Sequence, residues 1–123
     1  MIEICNYVYR NYPDIKNAIS YDDLLKFLIQ NERNIIYVEE DGKIKGVAFY
    51  LKVDDETLDK FRKEEIHNIY DLNYKLYNGD NIYIPMLIAD SAETILIGMN
   101  RLIKRECPTI ISWRRNKFFE RRL

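Results

Sequence analysis

The segment YIPMLIADSAETILIGMNRLIK, residues 83–104, runs an apolar, strand-forming stretch directly into a helical one. The turn between them, Ala89-Asp90-Ser91-Ala92, has the residue types best suited to binding chemistry. A helix start offers backbone N–H groups that lack intrahelical acceptors, together with the positive end of the helix dipole, and so can hold a pyrophosphate. The small side chains of Ala89, Ser91 and Ala92 let such an anion approach the backbone. The same residues also read as a self-capped corner. Asp90 can cap the helix and Glu93 can complete a capping box, filling those N–H groups with the chain's own carboxylates. The turn contains no glycine. Both readings remain open on local chemistry.

Other reactive side chains are few. His67, the one histidine, lies beside Glu64 and Glu65 in a charged segment with no nucleophile nearby, so an exposed histidine without a catalytic task is expected. One histidine among scattered carboxylates has no metal-ligand spacing, and no metal is expected. Cys5 and Cys107 are too few and too far apart for a disulfide framework, and each is flanked by core-like positions. Both are expected to be small buried hydrophobes. The ending SWRRNKFFERRL mixes arginines with Trp113, Phe118 and Phe119, a composition that single-stranded nucleic acid binding uses. One short patch on an acidic chain argues against nucleic acid and for a solvated or self-paired charged end.

Local signals place these groups on elements. Residues 1–19 suit either a strand or a helix ending before Pro13. Ser20 reads as an N-cap with Asp23 three residues on, and Leu24, Phe27 and Leu28 give the inward stripe of a helix that fades by Asn31. NIIYVEEDGKIKGVAFYLKV is a hairpin turning at Asp41-Gly42, with its second strand from Gly46 to Val53. DDETLDKFRKEEIHNIYDL reads as a surface helix facing inward through Leu58, Phe61, Ile66 and Ile69. Asn78-Gly79 closes either a second hairpin or a loop into the strand Asn81 to Ala89. The helix that follows turns Ala92, Ile95, Leu96, Met99, Leu102 and Ile103 inward, and TIISW is a further buried strand after Pro108. Strand, helix and strand on short connections make a βαβ unit with parallel strands. A mixed sheet with helices around it is therefore expected.

The 123 residues fit one domain, and 47% hydrophobic with 32% charged residues is a globular composition. No apolar run approaches the roughly 20 residues of a membrane span. The beginning MIEICNYVYRNYPD lacks the pattern of a signal peptide, so a cytoplasmic, reducing setting is expected. The formal net charge of −1 is unevenly spread. Residues 101–123 carry eight Lys/Arg against Glu106 and Glu120, while the preceding residues are acidic in balance. A basic end on an acidic body attracts phosphates, an acidic protein partner, or its own body.

The order of elements resembles the N-acetyltransferase (GNAT) superfamily. Within it the chain looks closest to the toxin-activating lysine acyltransferases and their small bacteriophage relatives. The resemblance rests on the hairpin DGKIKGVAFY, the strand-to-helix turn YIPMLIADSA and the ending CPTIISWRRNKF, within residues 33–117. It implies an α/β (α+β) fold, a GNAT-like mixed β-sheet flanked by helices with a C-terminal βαβ unit, in a single domain over residues 1–123. It also implies an acyl donor, acetyl-CoA or another acyl-CoA or an acyl carrier protein. By position, the backbone of Leu87 and Ile88 pairs with the thioester arm, and N–H groups from Asp90, Ser91, Ala92, Glu93 and Thr94 face the phosphates. The family's catalytic histidine near the N-terminus has no counterpart before His67, its strand aspartate falls at about Met86, and Phe118 and Phe119 stand where a tyrosine would protonate a leaving thiolate. The Arg/Gln-x-x-Gly-x-Gly/Ala turn is also missing.

Two expectations of different class follow. One is an acyltransferase-like protein moving an acyl group from coenzyme A or acyl carrier protein to an amine. The other is a non-catalytic, phage-borne accessory or binding protein working through its basic C-terminal end.

Overall fold

The computed structural model describes residues 1–66 and 79–123. Their elements run α1 (Ile2–Asn11), α2 (Ile15–Ala18), α3 (Tyr21–Gln30), a single 3₁₀ turn (Glu32–Asn34), β1 (Ile35–Glu40), β2 (Lys43–Val53), α4 (Asp55–Arg62), β3 (Asn81–Ala89), α5 (Ala92–Glu106), β4 (Ile110–Arg114) and β5 (Phe118–Arg122). The described strands form one sheet in the order β1-β2-β3-β4-β5. β1 and β2 pair antiparallel, β3 and β4 parallel, and β4 and β5 antiparallel. This is the expected mixed sheet with a βαβ unit made of β3, α5 and β4.

The chain divides into two compact units, one of Met1–Phe49 with Met86–Leu102 and one of Tyr50–Pro85 with Ile103–Leu123. In the first, the ambiguous N-terminal segment is helical. α1 buries Ile4, Cys5, Tyr7 and Val8, whose spacing gives one apolar stripe. The Ser20 hydroxyl accepts from the Asp23 N–H at 3.2 Å, so α3 begins as its sequence predicts, and Leu24 and Leu28 are buried. The hairpin turns through two left-handed residues, Asp41 (φ 54°) and Gly42 (φ 75°), the backbone that matches the twist of its strands. β2 already begins at Lys43, three residues before Gly46, because the pairing Glu40↔Lys43 closes directly on the turn.

In the second unit, α4 is capped by Asp54, whose carboxylate accepts from the Thr57 N–H at 2.7 Å, and Leu58 and Phe61 are buried. The helix ends at Arg62, far short of the expected surface helix. Ile66 lies past its end and half-buried, whereas Ile69, His67 and Asn78 lie outside the described residues.

The charged ending is self-paired in part, as expected, on an element that the local signals did not name, and the expectation for Cys107 needs correction. The basic ending is a strand: β5 pairs along β4, with Trp113 opposite Phe119 and their rings stacked at 5.6 Å. Phe118 stacks on Tyr83, which stacks on Phe61 at 4.1 Å. Its charges are partly self-paired, Glu120 with Arg62 at 2.7 Å and Arg114 with Glu64 at 3.0 Å. Backbone pairing and aromatic stacking offset the poor strand propensity of the charged residues. Cys5 is buried as expected, but Cys107 is exposed, in the left-handed conformation (φ 47°) just beyond α5. A chain leaving a helix commonly takes that conformation, whatever the apolar flanks suggest.

Candidate functional site

All seven residues singled out for donor binding lie within the first unit, at the end of β3 and the start of α5. The β3–β4 ladder runs from Asn81↔Ile110 to Ile84↔Trp113, and the next residue, Pro85, has no N–H to continue it. Leu87 and Ile88 follow half-exposed. Asp90, Ser91, Ala92 and Glu93 are exposed, and Thr94 is buried.

The cap is not where the sequence suggested. Ser91, rather than Asp90, starts α5: its hydroxyl accepts from the Thr94 N–H at 3.2 Å and lies 3.0 Å from the Thr94 hydroxyl, and its carbonyl accepts from the Ile95 N–H. Serine and aspartate cap almost equally well, so local preference cannot choose between neighbours. Glu93, only two residues after the actual cap, does not stand at the third helical position that a reciprocal capping box uses.

A longer-range contact makes the choice. The Tyr7 hydroxyl lies 2.6 Å from the Asp90 carboxylate and 2.9 Å from the Lys45 carbonyl, so its one hydrogen is shared with the carboxylate nearer. The Asp90 N–H donates to the same Lys45 carbonyl at 2.9 Å, and the Lys45 ammonium stands 3.9 Å from the carboxylate. Asp90 is thus engaged by α1 and β2. Burial first, and then the hydrogen bond to Asp90, hold the Tyr7 hydroxyl far above the ordinary tyrosine range, with Arg10 opposing weakly. Tyr7 therefore remains a neutral donor.

Gly46 is the other residue that sets this turn. A Cβ there would lie 2.7 Å from Thr94 Cγ2 and 3.3 Å from the Ile88 carbonyl oxygen, so glycine lets β2 pass directly beneath the first turn of α5. Sequence reasoning missed Tyr7, Lys45 and Gly46. An isolated glycine inside a strand pattern is a signal that could have found Gly46. Along α5, Leu96 is 65% exposed rather than inward, and the buried positions are Thr94 and Leu102.

The arrangement offers an exposed helix start with small side chains, and the carboxylate just before it, Asp90, is engaged by a tyrosine and a lysine. Its first-turn amides at Ala92 and Glu93 are of the kind a helix leaves without intrahelical acceptors, and they suit an anionic ligand. Glu93 is the one opposing charge within the turn. Among the described residues, no group of three or more His, Cys, Asp or Glu could hold a metal ion. No described helix is long and apolar enough to cross a membrane.

These features belong to a mixed α/β GNAT-like fold. The chain is similar to the GphF GNAT-like decarboxylase in complex with isobutyryl-CoA, with 14% identity and a TM-score of 0.57 over 90% of this chain. It spans 58% of the length of that protein. It also has a weaker likeness to a Staphylococcus aureus MU50 protein to which acetyltransferase activity is ascribed, with 17% identity, a TM-score of 0.48, and coverage of 88% of this chain and 71% of that one. No protein-family model matches the chain, and no curated protein does.

Proposed function

We propose that this chain is an acyltransferase-like protein that binds a thioester of coenzyme A or acyl carrier protein and presents its acyl group to an amine. The observation that carries the reading is the engagement of Asp90 by Tyr7 and Lys45, which keeps a carboxylate from filling the start of α5. The GNAT-like fold supports it, as does the presence of isobutyryl-CoA on the GphF decarboxylase. In this reading the half-exposed backbone at Leu87 and Ile88 pairs with the donor's thioester arm. The amides from Asp90 to Thr94 receive its phosphates, with Ser91 and Ala92 admitting them to the backbone. The donor supplies an activated carbonyl. The chain holds an amine beside it, and such positioning supplies much of the rate in aminolysis without a dedicated acid or base. The same proposal takes residues 1–123 as one domain, and a bacterial or phage-infected cytoplasm as its setting.

The test is the melting temperature during titration with acetyl-CoA and longer acyl-CoAs. Donor at about 100 times its Kd adds roughly 2.7 kcal/mol, a shift of several degrees. Ala92→Glu, which places a carboxylate at the helix start, abolishes that shift. No response to any acyl-CoA, together with no binding of an acylated carrier protein, refutes the reading.

The second reading, a non-catalytic accessory or binding protein, is favoured by the exposure of Arg121 and Arg122 on β5, beside the self-paired Glu120. These two offer an acidic protein partner a basic strand.

A further inference from the structure

A polar groove of about 490 Å³ opens between α1 and the start of β2, wholly within the first unit, and shares only Asp90 with the candidate donor site. Its size falls in the roughly 300–1,000 Å³ range of small-ligand sites, but its lining is polar where drug-like pockets are apolar. One wall is a stripe of α1 at helical spacing that includes Glu3, Asn6 and Arg10. The other wall is the strand from the hairpin turn, with Lys43 and Lys45 two residues apart and so on one face. Tyr7 and Asp90 complete the lining.

The charges divide into committed and available groups. Asp90 is already engaged by the Tyr7 hydroxyl at 2.6 Å and faces Lys45 at 3.9 Å. Among the described residues, Arg10, Lys43 and Glu3 enter no ion pair, yet all three line the same groove. The neutral Tyr7 leaves that balance of charge unchanged. A simple anion satisfies Arg10 and Lys43 but meets Glu3 and Asp90. A simple cation satisfies Glu3 but meets three positive groups. A ligand carrying both charges satisfies both sets.

We propose that this groove is a binding site for a small zwitterion, an ammonium and a carboxylate on one short carbon chain, as in a free amino acid. Arg10 and Lys43 hold the carboxylate and Glu3 the ammonium, while Asn6 lies beside them. A peptide terminus, which brings one of the two charges without the other nearby, is a poorer match. The proposal involves binding alone, with no bond made or broken, and it stands whether or not the chain binds an acyl donor.

The test is a titration of the isotope-labelled protein, followed by amide resonances, with L-alanine, L-leucine and L-glutamine. Each is compared with its deaminated acid and its decarboxylated amine. The expected result is saturable shifts at Arg10, Lys43, Lys45 and Asp90 for at least one amino acid, with its acid and amine at least about tenfold weaker. Arg10→Gln with Lys43→Gln lowers that affinity by about tenfold or more, and Glu3→Gln weakens the amino acid while tightening its deaminated acid, which no longer meets a like charge. All three positions are exposed, and the remaining resonances report that the fold is kept. Absence of saturation by all three amino acids overturns the proposal. So does an acid that binds as tightly as its amino acid, or a double variant that binds like the wild type.

Discussion

Gly46→Ala probes how closely β2 passes beneath the turn that carries the candidate donor site. The new Cβ lies 2.7 Å from Thr94 Cγ2, 3.3 Å from the Ile88 carbonyl oxygen and 3.4 Å from Ala89 Cβ. Alanine itself suits a strand better than glycine by roughly 0.5–1 kcal/mol, so without those contacts the change stabilises. Thr94 cannot yield cheaply. It is β-branched and buried, and turning Cγ2 aside moves Oγ1 from its 3.0 Å contact with the Ser91 hydroxyl. Overpacking of this kind costs about 1–3 kcal/mol, which leaves a net effect between about zero and a loss of about 2.5 kcal/mol. Thr94→Ser removes the offending methyl and keeps the hydroxyl, so in that background Gly46→Ala costs about 1 kcal/mol less. Urea unfolding of the four proteins measures this coupling, provided the m-value stays constant. Equal costs in both backgrounds, or stabilisation in the wild type, would falsify the close approach.

Burial pushes the Glu106 carboxyl up, but the Lys52 ammonium at 3.0 Å and the Tyr50 hydroxyl outweigh it and hold it below the ordinary glutamate value. A lowered folded value gives stability that is present above the unfolded pKa and lost as pH falls through the folded one. Glu106→Gln should therefore flatten the loss of stability between about pH 5 and 3, and an unchanged slope contradicts the network. Tyr7 shows the opposite sign: its raised value gives stability that is present below about pH 10 and lost as pH rises beyond it. Tyr7→Phe is expected to cost about 1–2 kcal/mol at neutral pH and to flatten the alkaline loss, and a neutral effect on both removes the Tyr7–Asp90 tie. Arg121→Glu with Arg122→Glu should leave stability within about 0.5 kcal/mol while weakening any salt-sensitive protein partner, and unchanged partner binding ends the second reading. Arg114→Glu is unsuitable for that test, because Arg114 also donates to the Phe61 and Arg62 carbonyls.

Much of the framework was legible because its signals are local. The cap at Ser20, the Asp41-Gly42 turn and the bounds of β3 each depend on residues within a few positions of one another. β5 was obscured because charged residues fill an edge strand, where pairing and ring stacking decide what propensity does not. The end of α4 at Arg62 was equally hidden, since the apolar spacing continues past it.

The sequence by itself determined the class of fold and the presence of a strand-to-helix turn with small residues at residues 89–92. Only the tertiary structure decided what that turn exposes. Tyr7 and Asp90 are 83 residues apart, and Lys45 reaches the same carboxylate from a third element. No local preference separates Asp90 from Ser91 as a cap, because both side chains satisfy a helix N–H about equally well. The choice falls to Ser91 because folding brings a tyrosine hydroxyl and a lysine to Asp90. That long-range competition for one carboxylate is invisible in the residues that surround it.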